Sequence, residues 1–158
     1  MNRIKLLQLI ALMLLFITAC KKKDIAPVFT RGKVSVKING ELKSFTLANS
    51  YDFDSGLISF GNNAKEEIVG FSLTGIKEGV YDMSHQEVVF AIYSKNEVSY
   101  GATNGVLGIG KKGSFKLHIT KATNNKISGT FEMTVLPNSG TGDGIIITEG
   151  VFENIPQI

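Results

Sequence analysis

The feature that most restricts this chain is a two-residue period. Phe115, Leu117 and Ile119 alternate with polar neighbours, and Ile127 to Val135 alternates again after a turn at Thr123-Asn124-Asn125-Lys126. Successive side chains of a strand point to opposite faces, so this pattern makes strands with one face in a core and one in water. Val34, Val36 and Ile38 repeat it near the start. Asn39-Gly40 follows, the strongest short-range hairpin signal, and then a second run of Leu42, Phe45 and Leu47. No segment after residue 31 shows a 3.6-residue period over helical length. The sequence therefore predicts an all-β domain, an antiparallel meander of about nine or ten strands closed as a barrel or packed as a sandwich. A calycin-like barrel with an internal cavity is one version, a flat sandwich another. Gly150, between Ile145-Ile146-Ile147-Thr148 and Val151-Phe152, reads as a bulge.

Ahead of this domain the pattern changes. Arg3 and Lys5 precede an apolar run from Leu6 to Ile17 broken only by Gln8, and small residues lead to Cys20. A positive start, a short apolar stretch and small residues before a cut are the secretory signal pattern. The run is shorter than the roughly 20 apolar residues that a spanning helix needs, and three lysines follow Cys20 at once. Ile17-Thr18-Ala19-Cys20 resembles the bacterial lipobox. That resemblance implies cleavage before Cys20, a diacylglyceryl group on its thiol and acylation of the new amino terminus. Lys21 in the next position resembles an outer-membrane sorting signal, with the periplasmic and surface-facing sides both open. Residues 1–19 then read as a signal peptide, 20–31 as lipidated Cys and tether, and 32–158 as one β-domain.

Composition narrows the partners. Without Arg3 and Lys5, 15 basic side chains face 14 acidic ones, which gives no reason to expect nucleic acid. Cys20 is the only cysteine, so no disulfide within the chain competes for it. No cofactor motif stands. Gly105-Val106-Leu107-Gly108-Ile109-Gly110-Lys111-Lys112 nearly spells a phosphate loop, but Lys112 replaces the required Ser or Thr and a strand rather than a helix follows. Asp52-Phe53-Asp54-Ser55-Gly56 faintly resembles a calcium loop, but Gly56 and Asn63 occupy ligand positions. Asp52 and Asp54 are still the best cation candidates. His85 and His118 share no metal-ligand spacing, His118 lies on the polar face of its strand, and nothing marks a nucleophile elbow. The candidate ligand contacts are Tyr51, Phe53, Tyr81, Tyr93 and Tyr100, near turns or strand ends, where an amphipathic ring can line a pocket mouth.

Val34-Ser35-Val36-Lys37-Ile38-Asn39-Gly40, Glu78-Gly79-Val80-Tyr81, Lys126-Ile127-Ser128-Gly129-Thr130-Phe131 and Thr148-Glu149-Gly150-Val151-Phe152 together resemble a group of small Bacteroidetes lipoproteins of unknown function. The resemblance implies no activity. The leading expectation is a lipid-anchored cell-envelope protein, non-catalytic, whose β-domain binds a small molecule, glycan or partner protein. A structural or assembly role without a ligand pocket comes second and an enzyme third.

Overall fold

The Asn39-Gly40 pair sets the first register. The computed structural model describes residues 32–46, 49–62, 67–84, 90–103, 113–123, 125–139 and 141–158. Asn39 and Gly40 take φ of 49° and 83°, the left-handed values of a two-residue type I′ turn. They join β1 (Lys33–Ile38) to β2 (Glu41–Phe45). Ile38 then faces Glu41, Val36 faces Lys43 and Val34 faces Phe45. Leu42, part of an apolar run in the sequence, pairs instead with Lys37 and is 67% exposed. Lys43 shares the inner face with Val36.

Seven further strands and a hairpin with a two-residue loop complete the set. The strands are β3 (Ser50–Asp52), β4 (Leu57–Gly61), β5 (Glu67–Ser72), β6 (Gly79–Asp82), β9 (Ser114–Thr123), β10 (Lys126–Pro137) and β11 (Ile145–Pro156). The hairpin is β7 (Phe90–Lys95) and β8 (Val98–Thr103), turned by Asn96 and Glu97 at φ of 50° and 68°. It sets Tyr93 opposite Tyr100. The protein is all-β and antiparallel, a sheet curled into a half-barrel. Its main path runs β2-β1-β11-β10-β8-β7-β5-β4-β3, and β9 and β6 branch from β10. Most consecutive strands are neighbours, as in a meander. Three breaks interrupt the meander: β2 and β3 do not pair, β8 pairs with β10 rather than β9, and β6 crosses over to pair with β9 while β5 pairs with β7. The crossing segment brings Leu73 and Ile76 into the core, where they are 4% and 5% exposed.

Curvature comes from β11. Ser35 faces Val151 but Lys37 faces Thr148, and Phe131 faces Gly150 but Met133 faces Ile147. One extra residue is absorbed at Glu149, whose φ is 53°. A second bulge lies between Ile155 and Phe152, with Asn154 at φ 54°. Bulges bend a strand and increase its twist. The bent tail brings Gln157 to a bridge with Tyr51 of β3, while Leu136 and Pro137, at the other end of the β10–β11 hairpin, pair with β8. The sheet therefore folds over itself at opposite ends of one hairpin. Gly150 sits beside the first bulge, where a Cβ would meet the Phe131 ring at 2.6 Å.

The inner faces meet in an aromatic stack. The Phe60 ring centroid lies 5.4 Å from that of Phe131, 5.2 Å from that of Phe152 and 6.4 Å from that of Phe71. Phe71 in turn packs on Phe115. Ile58, Leu117, Ile119, Ile127, Ile147 and Ile155 surround them, almost fully buried. These side chains occupy the place where a calycin-like barrel keeps its cavity, so the interior is a packed core rather than a lumen. Buried Asn49 ties the strands at one end: its Nδ2 donates to the Gly32 and Phe45 carbonyls (2.8 and 2.7 Å), and its Oδ1 accepts from the Gly61 amide (3.2 Å).

Candidate functional site

The β1–β2 and β7–β8 hairpins converge at one end of the half-barrel. There the register places Glu41 and Lys43 on the inner face of β2, and Glu67, Tyr93, Lys95, Val98 and Tyr100 on the inner faces of β5, β7 and β8. Between them lies a depression of about 300 Å³. Ile38, Glu41, Lys43, Tyr93, Lys95 and Tyr100 are among its lining residues. It opens at the mouth of the curled sheet, above the aromatic core.

One network floors this mouth. Lys43 Nζ and the Tyr93 hydroxyl both donate to Glu67 Oε1 at 2.7 Å. The Lys43 and Glu67 side chains are 17% and 12% exposed. The Tyr93 ring is buried and lies 5.9 Å, centroid to centroid, from that of Tyr100. Burial pushes the Glu67 carboxyl upward, but the hydrogen bonds from Lys43 and Tyr93 and the positive charges of Lys43 and Lys95 outweigh it and hold the group below its ordinary range. Tyr93 is pushed strongly upward, first by burial and then by its bond to Glu67. The mouth thus keeps a carboxylate ionised and a phenol protonated, with the Lys43 ammonium bonded to the carboxylate.

Of the five aromatic candidates, the structure brings Tyr93 and Tyr100 together and separates the other three. Tyr51 is a core residue whose hydroxyl reaches toward Gln157 at 3.5 Å. Tyr81 is also in the core; its hydroxyl donates to the Lys77 carbonyl and accepts from the Lys77 amide, which closes the turn before β6. Their positions near strand ends reflect a buried ring with a satisfied hydroxyl. Phe53 is exposed on the β3–β4 turn, away from the mouth. Asp52 uses both carboxylate oxygens locally, accepting from the Asp54 amide (3.0 Å) and the Ser55 hydroxyl (2.7 Å). The Ser55 bond, foremost, lowers its pKa. Among the described residues no group of three or more His, Cys, Asp and Glu side chains gathers as a metal site. His118 is exposed on β9, opposite Val80 and Thr130. Cys20, His85, Asn63 and the Gly105–Lys112 stretch lie outside the described residues.

Lys43 and Glu67 escaped the reading of the sequence because each looks like a surface charge on a short strand. The signal was present in the turn. A two-residue Asn-Gly loop makes Ile38 and Glu41 partners, which forces Lys43 onto the face of Val36.

No curated protein and no solved structure matches the chain. The family described as a domain of unknown function, DUF6252, matches residues 31–156, from just before β1 to the end of β11. The site at the mouth and the core beneath it both fall within that match, and the chain belongs to the DUF6252 family.

Proposed function

We propose that this protein is a cell-envelope lipoprotein, held at the outer membrane by lipid on Cys20, whose β-domain binds a small polar ligand at the mouth without transforming it. The observation that carries the binding reading is the Lys43–Glu67–Tyr93 network. Replacing an ion pair held out of water by apolar residues of similar volume is often neutral or stabilising. This one sits in an accessible depression with a second tyrosine at its rim, the setting in which a few placed polar groups orient a ligand. The aromatic core fills the interior, which leaves the surface depressions; a larger one of about 610 Å³ lies on the outer face around His118 and Val151, and the mouth is favoured over it by its partly buried network.

The anchor reading is supported by the lipobox match at Ile17-Thr18-Ala19-Cys20 and by the absence of another cysteine. Two acyl chains are what stable anchoring takes. Native mass spectrometry of the protein purified from its own host tests the binding reading. A retained small molecule, lost in Lys43→Met and kept in Lys37→Met, is the expected result. A ligand retained equally by both variants would place binding elsewhere. No ligand from any preparation would favour the structural or assembly role, which the filled core also suits. The anchor is tested by labelled fatty acid, which should enter the native chain and not Cys20→Ser.

A further inference from the structure

Among the described residues, six of the eight large apolar side chains that are exposed lie at two ends of the domain, and Val80 and Val151 lie between them on the outer faces of β6 and β11. Val98 lines the mouth, and Leu42 and Ile146 lie around it on the adjoining hairpins. The second group surrounds Asp52. Phe53 follows it, Leu57 is its cross-strand partner, and Ile158 donates its amide to the carbonyl of neighbouring Tyr51. Phe53, Leu57 and Ile158 are 54%, 47% and 80% exposed.

The domain's first residues lie at this second end. The Gly32 carbonyl accepts from Asn49, two residues before Tyr51, and Gly32 packs against Ile155, three residues before Ile158. The β9–β10 turn is here too, because Gln157 donates to the Asn125 carbonyl and Lys126 pairs with Pro156. Beside that turn, Lys121, Thr123 and Lys126 line a depression of about 300 Å³.

We infer that this end rests on the bilayer, with Phe53, Leu57 and Ile158 at the level of the lipid headgroups and Lys121 and Lys126 beside the phosphates. The inference rests on the lipid-anchor reading. Eleven residues separate Cys20 from Gly32. Whatever their conformation, they span at most about 40 Å. A domain of this length is roughly 36 Å across, from the usual scaling of its radius. Only a nearly straight chain would let the mouth end reach the lipid, whereas the Gly32 end reaches it without extension. Charge adds little here, because Asp52 and Asp54 share the turn with Phe53. Apolar contact therefore supplies the attraction, and the short connection keeps it local. The mouth, at the opposite end, then faces away from the membrane.

The chain contains no tryptophan, so one introduced indole reports one position. Phe53→Trp, Ile158→Trp and Val98→Trp are made separately in the lipidated protein. Each is reconstituted into phosphatidylethanolamine–phosphatidylglycerol vesicles whose acyl chains carry bromine near the headgroup. All three sites are exposed, so the substitutions leave the core untouched, and circular dichroism checks each fold. Bromine should quench the Phe53→Trp and Ile158→Trp variants severalfold more than Val98→Trp, with blue-shifted emission at the first two sites. Equal quenching at all three sites, or stronger quenching in Val98→Trp, in protein that floats with the vesicles would overturn the orientation and leave the anchor standing. Protein that fails to float with the vesicles would overturn the anchor reading and the orientation together.

Discussion

Two ion pairs of equal length make a controlled comparison. Lys37–Glu149 and Lys43–Glu67 each have an Nζ–Oε1 separation of 2.7 Å, but the first pair's side chains are 38% and 65% exposed and the second's 17% and 12%. Geometry being equal, burial decides the difference. Exposed pairs contribute about 0.2–1 kcal/mol. Removing one partner of a buried pair costs about 3–5 kcal/mol, because the other charge is left without compensation. The mouth pair keeps some contact with water. Lys43→Met should therefore cost about 2–3 kcal/mol, between those limits. Lys37→Met should cost less than about 1 kcal/mol. Double-mutant cycles isolate the coupling: Lys43→Met with Glu67→Gln, and Lys37→Met with Glu149→Gln. The assay is urea unfolding of residues 20–158 carrying Cys20→Ser, followed by far-ultraviolet circular dichroism at low and high salt. In 1 M salt the screening length is about 3 Å, which should abolish the exposed coupling and leave most of the other. Equal coupling energies, or a mouth coupling that also vanishes in salt, would mean that Lys43 is solvated, and the reasoning about the site would fail with it.

Acid should reveal the same network. The lowered pKa of Glu67 contributes stability above the ordinary carboxylate value of about 4.3, and that contribution is lost as pH falls through the folded value. Glu67→Gln should flatten the acid limb of a stability–pH curve; an unchanged limb would count against the network. Phe60→Ala, which deletes a ring packed on three others, should cost about 3–5 kcal/mol in the same urea assay. Gly129→Ala should cost about 3 kcal/mol from overpacking, since its Cβ would lie 2.1 Å from the His118 carbonyl oxygen. Gly75→Ala meets nothing within 4 Å and should change stability by less than about 0.5 kcal/mol. Asn49→Ala strands three buried backbone groups and should cost at least about 2 kcal/mol.

The fold class was legible wherever a strand's neighbours in space are its neighbours in sequence. Phe115, Leu117 and Ile119 are all inward on β9, and Ile127, Phe131, Met133 and Val135 on β10, as the alternation requires. Closure was not legible. β1 pairs with β11 across more than a hundred residues, and β6 leaves β5 to join β9. A two-residue period tells which face of a strand is apolar, but it carries no information about which edges meet. Whether the curled sheet keeps a lumen was not legible for a related reason. Alternation counts inward aromatic rings but does not give the distance between facing sheets. The bulges at Glu149 and Asn154 bend β11, and the glutamate at the first of them carries no mark of its positive φ.

The mouth shows how far a turn can extend what a pattern tells. Once Asn39-Gly40 and Asn96-Glu97 are read as two-residue loops, each hairpin's inner face follows by counting outward. Ile38 goes with Glu41, Val36 with Lys43, Lys95 with Val98, and Tyr93 with Tyr100. Three charged residues, Glu41, Lys43 and Lys95, and two aromatic ones thereby join an otherwise apolar face. An inward charge on an edge strand such as β2 also discourages another strand from adding there. Lys43 can serve both ends at once, because the edge that must be protected is the same edge that borders the mouth. The Lys43→Met variant separates the two roles. Loss of ligand with an unchanged monomer assigns Lys43 to binding, whereas new self-association in a chain that still binds assigns it to guarding the edge.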